Sequence, residues 1–420
     1  MPSHSRSSTP TRPADNGDWP VLGSELRPWT SGLPAGLLSA GVRRRHSGAY
    51  GAGLVPLIAD RALRLPADVL ALSEEATVEI ARFDSELGRE VAPFASVLLR
   101  SESASSSMIE NLTSGAKAIA LAELGSRDKR NATEIVGNVD AMKAALELAN
   151  RLDQRAILAM HAALVARHEP DIAGGWRYEQ VWIGGDSFGP HGATFVPPHH
   201  DHVPSLMADL VGFIRRLDMP ALAHAAVAHA QFETIHPFPD GNGRTGRALV
   251  HAMLRAHGLT RNVTVPVSAG LLTDTSAYFD TLTAYRAGDP AAIVERMAQA
   301  SFAAIVNGRQ LVAELHSIRA SWNSKVQVRR GAAAWRLADL LVRQPVVDAA
   351  RVASELAIAP QNAHRAIAPL VEAGILTEFT GFARNRLWQS SEVLTSLDDF
   401  ARRAGRRSRQ GPGGVGGRFA

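Results

Sequence analysis

The sequence predicts a mainly α protein: a helical bundle broken by one β-hairpin and followed by a C-terminal winged helix-turn-helix. Three observations carry this. Apolar residues repeat at helical spacing through most segments from Pro66 onward. The departure is GGWRYEQVWIGGDSFGPHGATFVPP, with two short apolar strands, VWIGG and ATFVPP, around a Gly/Pro-rich turn. After Ser324, three helical patterns precede a two-stranded turn, TEFTGFARNRLW, which is the order of a winged helix.

In chain order, residues 1–30 form a Ser/Pro/Thr-rich tail, expected to be disordered. An N-terminal helical region spans 31–130, with Ser31 to Arg64 expected mostly irregular. Its first helix is ADVLALSEEATVEIARFDSEL, apolar on one face and acidic on the other. A second helix is expected over Val91–Arg100, then the serine-dense SESASSSMIENLTSG, then a helix at Ala116–Leu124. A core over 131–323 holds helices at Asn131–Arg151, Gln154–Ala166, Val203–Leu217, Ala221–Ile235, Thr245–His257 and Ser276–Arg286. A long helix runs from Pro290 past Ile318. The winged helix occupies 324–390: AAAWRLADLLVRQ, DAARVASELAI, a break at Ala359–Pro360, then QNAHRAIAPLVEAGIL. Residues 391–420 hold a last helix, Glu392–Arg403, and a basic tail crowded with Arg402, Arg403, Arg406, Arg407 and Arg409.

Composition excludes several classes. The chain has 420 residues, enough for two or three domains with cores of their own. It has no cysteine, which removes disulfides, thiolate metal sites and cysteine nucleophiles. No apolar run is long enough to span a bilayer, and the N-terminus lacks the hydrophobic centre of a secretory signal. These features fit a cytoplasmic location without a membrane partner. The net charge of +4 is too small to name a partner.

The chemistry concentrates in HPFPDGNGRTGR, His236 to Arg247. Pro237 stops the preceding Ala-rich helix at about His236. Gly241 and Gly243 permit backbone shapes that a side chain forbids. The next helix then starts with unpaired N–H groups facing the loop, an anion site by dipole and by donors. Arg244 and Arg247, three apart, share a face and reach one polyphosphate. GNGRTG formally matches a dinucleotide fingerprint, but a helix precedes it and no acid follows over Gly258 to Gly270. DGNG also resembles a calcium loop. With Gly243 at the turn position the end ligands would be Phe238 and Leu249, which cannot bind calcium. Mere punctuation by glycine fits poorly, since a structural turn needs no base, acid, amide and two arginines together.

HPFPDGNGRTGR resembles the signature of the Fic-domain proteins, HPFx[D/E]GNGRxxR, and meets every fixed position. LLRSESASSSMIEN is similar to the family's [S/T]xxxE[G/N] segment. VWIGG…ATFVPP…VPSLMADLVGFI is similar to its flap and following helix, and AHAQFETIHPF to the helix before the motif. The resemblance covers about Pro66 to Trp388. It implies a Fic fold and transfer of AMP from ATP to a protein Ser, Thr or Tyr hydroxyl. His236 is then the general base, and Asp240 supplies an oxygen for Mg²⁺. Asn242 and the N–H groups around Gly241 and Gly243 hold the α-phosphate. Arg244 and Arg247 clamp the outer phosphates. Thr245 and Gly246 complete the ATP-binding segment, and Tyr278 stands where the family has a tyrosine near the nucleotide. The flap residues Ile183, Gly184, Gly185, Phe195 and Val196 pair with an extended target segment. Ser106, Glu110 and Asn111 fit an inhibitory motif whose glutamate pairs with Arg247 and blocks the γ-phosphate.

Other features are weaker. His199, His200 and His202 (HHDH) follow Pro197–Pro198 without a second cluster at metal-ligand spacing. His224 and His229 read as packing or hydrogen-bonded residues. Gln361, Asn362, His364 and Arg365 open the expected recognition helix, with Arg384 and Arg386 on the wing, so DNA joins ATP and a target protein as an expected partner. A second copy of the chain, as a homodimer, is a further partner expectation. Two alternatives stay open: a DNA-binding regulator with a nucleotide-sensing or self-modifying core, and removal of AMP or transfer of other phosphate-linked groups.

Overall fold

Where apolar residues recur every three to four positions, the chain is helical. The computed structural model describes residues 18–30, 39–88, 93–329, 331–381 and 385–405. The expected tail before Asp18, Arg384 of the wing, and Arg406, Arg407 and Arg409 lie outside the described residues.

The chain begins with an antiparallel pair, β1 (Gly23–Pro28) and β2 (Ala49–Leu54), in the register Gly23–Leu54 to Pro28–Ala49. The short helix α1 (Ala40–Arg45) lies between them. This corrects two expectations, a disordered tail through residue 30, where β1 lies, and mostly irregular chain over Ser31–Arg64, where AYGAGL lacks the β-branched residues that mark strands. Backbone pairing makes the strand, with Tyr50 and Ala52 turned into the protein.

The bundle follows as α2 (Ala67–Gly88), α3 (Pro93–Ile109), α4 (Ala116–Glu123), α5 (Arg130–Leu148), α6 (Gln154–Val165) and α7 (Val203–Ile214). It continues with α8 (Ala221–Ile235), α9 (Asn242–Ala256), α10 (Val267–Leu271), α11 (Thr275–Arg286) and α12 (Ala291–Lys325). Helix α8 is the axis: every residue from Leu222 to Ile235 is buried, and α2, α7, α9 and α12 pack around it. Its alanines permit close approach on all sides, so it has no solvent face to mark it as amphipathic.

Helix α3 corrects an expectation. It runs through SESASSS to Ile109 rather than ending near Arg100. Ser103 Oγ donates to Leu99 O and Ser107 Oγ to Ser103 O, each at 2.9 Å. Asn138 of α5 donates to Ser103 O at 2.8 Å. Serines that look like loop formers in isolation are satisfied inside the helix, with no loss of buried polar groups.

The expected flap hairpin is also reduced. Ile183 and Phe195 form one antiparallel bridge, and no longer strand is assigned around it. Gly184 and Gly185 both have positive φ, 72° and 76°, which turns the chain away from an extended ladder. Past the bridge, Val196 O accepts from Gly53 N of β2 at 3.0 Å.

The C-terminal unit comprises α13 (Ala333–Arg343), β3 (Val346–Asp348), α14 (Ala349–Leu356), α15 (Pro360–Glu372), β4 (Thr377–Glu378) and β5 (Leu387–Gln389). Its sheet has the order β3-β5-β4, antiparallel throughout, with Val347 and Glu378 both opposite Trp388. A last helix, α16 (Ser391–Gly405), packs back on α12, α3 and α4. Arg403 belongs to this packing and not to a solvated tail: it reaches Glu314 at 2.9 Å and Asn307 at 2.7 Å.

Candidate active site

Helix α8 ends because Pro237 cannot follow a helical residue, and His236 closes it in the left-handed region at φ 51°. That conformation is strained for a residue with a side chain, so the surroundings must hold it. Arg177 does so. It is 3% exposed, and its Nε donates to His236 O at 2.8 Å. Its Nη1 reaches Glu179 O at 3.0 Å and its Nη2 Pro198 O at 2.5 Å, while its own N–H donates to Pro237 O. One guanidinium thus ties both bases of the flap to the residue that ends α8. Among the described residues no carboxylate is bonded to it, and burial lowers its pKa to about 10.

The loop is fixed from two sides. Phe238 is fully buried and stacks on the His161 ring at 3.8 Å with a 3° interplanar angle. His161 Nδ1 accepts from Gly174 N, which leaves Nε2–H to donate to Asp240 O at 3.1 Å. Burial lowers the His161 pKa to about 4, so the neutral form persists. Asn242 was expected to face a phosphate. Instead its Oδ1 accepts from Phe238 N and its Nδ2 donates to Phe238 O, both at 2.8 Å. Its amide staples the loop because the turn would otherwise leave both Phe238 groups buried and unpaired.

Gly241 enters α9 at φ 77°. The helix starts at Asn242, three residues before the expected Thr245, so the N–H groups of Asn242, Gly243 and Arg244 lack intrahelical acceptors and face the loop. A Cβ on Gly243 would overlap Glu110 Oε1. Thr245 is fully buried with Oγ1 unpaired, and Gly246 lets α9 cross close to Phe232 and Glu233 of α8. The two arginines have different partners. Arg244, 3% exposed, donates to Asp240 Oδ2 at 2.9 Å and lies 3.6 Å from Glu134 Oε2, while its Nε and Nη1 have no hydrogen bond. Arg247 donates from Nη2 to Glu110 Oε1 at 2.8 Å, and from Nε and Nη2 to Ser106 Oγ and O at 2.9 and 2.8 Å. Asn111, at φ 61°, turns the chain immediately after Glu110.

Electrostatics separate the titratable groups. Burial, with Arg177 and Arg286 nearby, pushes His236 down to about 3 and keeps its imidazole neutral. Burial pushes Glu233 up to about 7, and its Oε2 lies 3.9 Å from His236 Nδ1. Asp240 is the most open member, with its side chain 45% exposed. Tyr278 was expected beside a nucleotide. It is 1% exposed, and its hydroxyl pairs with His229 Nε2 at 2.7 Å inside the bundle.

The Arg286 guanidinium stands 3.7 Å over the ring of Phe195, one of the expected flap residues. His199, His200 and Asp201 bring potential ligand atoms within 4.8 Å of one another, but His202 turns away to Glu25 and Arg27. His224 bonds Phe213 O and His257 in the core. Sequence reasoning missed Arg177, His161, Glu134 and Glu233. The first two act through carbonyls and ring stacking, which leave no spacing pattern.

Residues 151–254 match the model of the Fic/DOC family. The chain carries a Fic domain. A probable protein adenylyltransferase of Aquifex aeolicus is 38% identical over 93 residues, which are 20% of this chain and 29% of that protein. The protein adenylyltransferase fic-1 of Caenorhabditis briggsae is 30% identical over 152 residues, 36% of this chain and 27% of that protein. The chain therefore spans under a third of these curated relatives. A Fic family protein from Desulfovibrio desulfuricans superposes with a TM-score of 0.51 at 22% identity, over 78% of this chain and 97% of that one. That likeness gives the Fic domain and the helices around it the fold of a Fic protein. No helix among the described residues is long and apolar enough to cross a membrane.

Proposed function

We propose that the chain is a protein adenylyltransferase held off at rest by Glu110. In the proposed reaction a target Ser, Thr or Tyr oxygen attacks the α-phosphorus of ATP, and its proton passes to His236. The bond to the bridging oxygen breaks and pyrophosphate leaves. The observation that carries this reading is a histidine that ends α8 and is joined by one short loop to the open first turn of α9, an anion site by geometry, with Arg244 and Arg247 buried on that helix. A pure anion-binding turn has no use for the base.

Asp240 suits Mg²⁺, since one carboxylate plus phosphate oxygens and waters is a common shell for that ion. It is the exposed acid of the loop, and only its Oδ2 is engaged, by Arg244. The ion would neutralise phosphate charge. Arg244 would hold the same phosphates through Nη1 and Nε, neither of which makes a hydrogen bond.

Inhibition follows from competition. Glu110 takes the Arg247 donor that a γ-phosphate needs, and Gly243 leaves space above the helix start that Glu110 already fills. Incubation with α-labelled or γ-labelled ATP tests both parts. Glu110→Gly is expected to raise labelling from α-labelled ATP only. His236→Ala should lower it by roughly 10²–10⁴-fold. Label arriving from γ-labelled ATP would replace AMP transfer with phosphate transfer.

A second reading concerns the C-terminal unit, as a winged helix that binds duplex DNA. It is favoured by α15, which leaves Gln361, His364 and Arg365 exposed. Salt-dependent retardation of nonspecific duplex is the expected result, and no retardation at low salt would rule it out.

A further inference from the structure

The segment that carries Glu110 touches two bodies. One is the Fic domain, through Arg247 and through Asn138 of α5. The other is the C-terminal unit with α16. Helix α13 and helix α16 pack on α3, and α16 and β3 pack on α4. Arg100 of α3 donates to Arg343 O of α13 at 2.7 Å and to Glu123 of α4 at 2.8 Å. Arg351 of α14 donates to the Glu123 carbonyl at 3.2 Å. Lys117 of α4 stands 3.6 Å over the Phe379 ring, beside β4. Beneath these contacts Ala120 of α4, Val346 of β3 and Leu394 of α16 form a small buried apolar cluster of their own.

One contact is diagnostic. Helix α4 begins six residues after Glu110, and its N-cap, Gly115, has no side chain to satisfy the first-turn donors. Asp398 of α16 supplies the missing acceptor: its Oδ1 takes the Ala116 N–H at 2.8 Å. A carboxylate at a helix N-terminus is favoured both as an acceptor and by the helix dipole. Here the capping group comes from 282 residues away in sequence. Residues 110–116 are therefore held at one end by Arg247 and at the other by Asp398.

We propose that the C-terminal unit and α16 form a clamp that keeps the inhibitory segment seated, so that loosening Asp398 from α4 frees Arg247 from Glu110. The proposal rests on the reading that the Glu110–Arg247 pair inhibits AMP transfer, and it assigns control of that pair to the opposite end of the chain. Exposed α15 is then the place where an occupant would pull on the clamp, since α15 packs on α13, and α13 on α3.

The test uses full-length protein and α-labelled ATP with four variants. Asp398→Ala is expected to raise auto-labelling about fivefold, the factor given by losing one helix-capping bond. Asp398→Asn retains an acceptor and should stay near wild type, a distinction that general destabilisation would not make. Asp398→Ala combined with Glu110→Gly should label no faster than Glu110→Gly alone. Amide exchange across residues 110–116 should quicken in Asp398→Ala. If Glu110→Gly raises labelling while Asp398→Ala leaves both labelling and exchange at the wild-type level, the clamp is wrong and the inhibitory pair stands. If Glu110→Gly itself changes nothing, the inhibitory reading fails and takes the clamp with it.

Discussion

Arg177 Nε donates to the carbonyl of His236 at 2.8 Å, so a buried cation on the chain leading into the flap fixes the residue that ends α8. The bond matters because His236 sits at positive φ, which is strained for a residue with a side chain, although its N–H still donates to Phe232 O at 2.9 Å.

Replacing Arg177 by Ala takes the donor from the buried Pro198 carbonyl and from the partly buried His236 and Glu179 carbonyls. A buried loss costs about 1–3 kcal/mol and a wetter one less, so the urea midpoint should report destabilisation on the order of 2 kcal/mol. Arg177→Lys keeps the charge but offers a point donor in place of a planar fork. It should recover less than half of that loss. Equal stability of the alanine variant and the wild type would show the carbonyls finding water instead.

Glu102 joins three helices from full burial. Its carboxylate accepts from His251 of α9 at 2.8 Å, and from Ser268 of α10 through N at 2.8 Å and Oγ at 2.5 Å. Glu102→Ala strands His251 and the Ser268 donors inside the protein. A loss of about 3–5 kcal/mol is expected from chemical denaturation. Glu102→Gln, which keeps an acceptor, should lose distinctly less.

Tyr278 is buried, with its hydroxyl on His229 and the Arg247 guanidinium close enough to interact with it. Tyr278→Phe should cost about 1–2 kcal/mol of stability, the value of one buried hydrogen bond with its partner left behind. The apparent KM for ATP, measured by labelling, should move little. A large rise in KM with unchanged stability would return Tyr278 to the nucleotide.

Acid should unfold the domain through its buried histidines. Burial lowers His161 and His224 to about 4, and His229 and His236 to about 3, from an ordinary 6.5. Below pH 6.5 the unfolded chain binds protons at these sites that the folded chain refuses, so stability is lost as pH falls from 6.5 toward 3–4. Glu233 acts oppositely: its pKa, raised by burial to about 7 from 4.5, favours the folded state as pH falls through that window. Four histidines outweigh one glutamate, and the urea midpoint should drop between pH 6.5 and 4.5. It should drop faster below 4.5, where the Glu233 contribution has saturated. A midpoint constant over that range would mean the histidines charge without unfolding.

How much of this was legible depended on range. His236 to Arg247 could be read because its chemistry is local: a proline stop, two glycines and arginines one helical turn apart. The Ser106–Glu110 segment was legible as a partner of Arg247, and the distance of 2.8 Å places it there. The continuity of α3 was not legible, since propensity cannot show that a serine hydroxyl will find a carbonyl four residues back. Nor were Arg177 and His161, whose partners are backbone atoms 59 and 79 residues away. Asn242 was placed in the right loop, but the direction of its amide depended on which Phe238 groups the turn left unpaired. Strand β2 had no signal because its pairing is made by backbone alone.

Arg247 donates two of its three hydrogen bonds to Ser106, one to the hydroxyl and one to the main-chain carbonyl. Taking away the Glu110 carboxylate therefore does not release the guanidinium to swing free. The side chain stays parked in its orientation, with most of its rotational entropy already lost before any anion arrives. In the proposed inhibition, the helix that leads to the brake is thus also part of the cradle. A variant lacking residues 93–110 altogether should not behave like Glu110→Gly: it would remove the brake and, with it, the scaffold that presets Arg247.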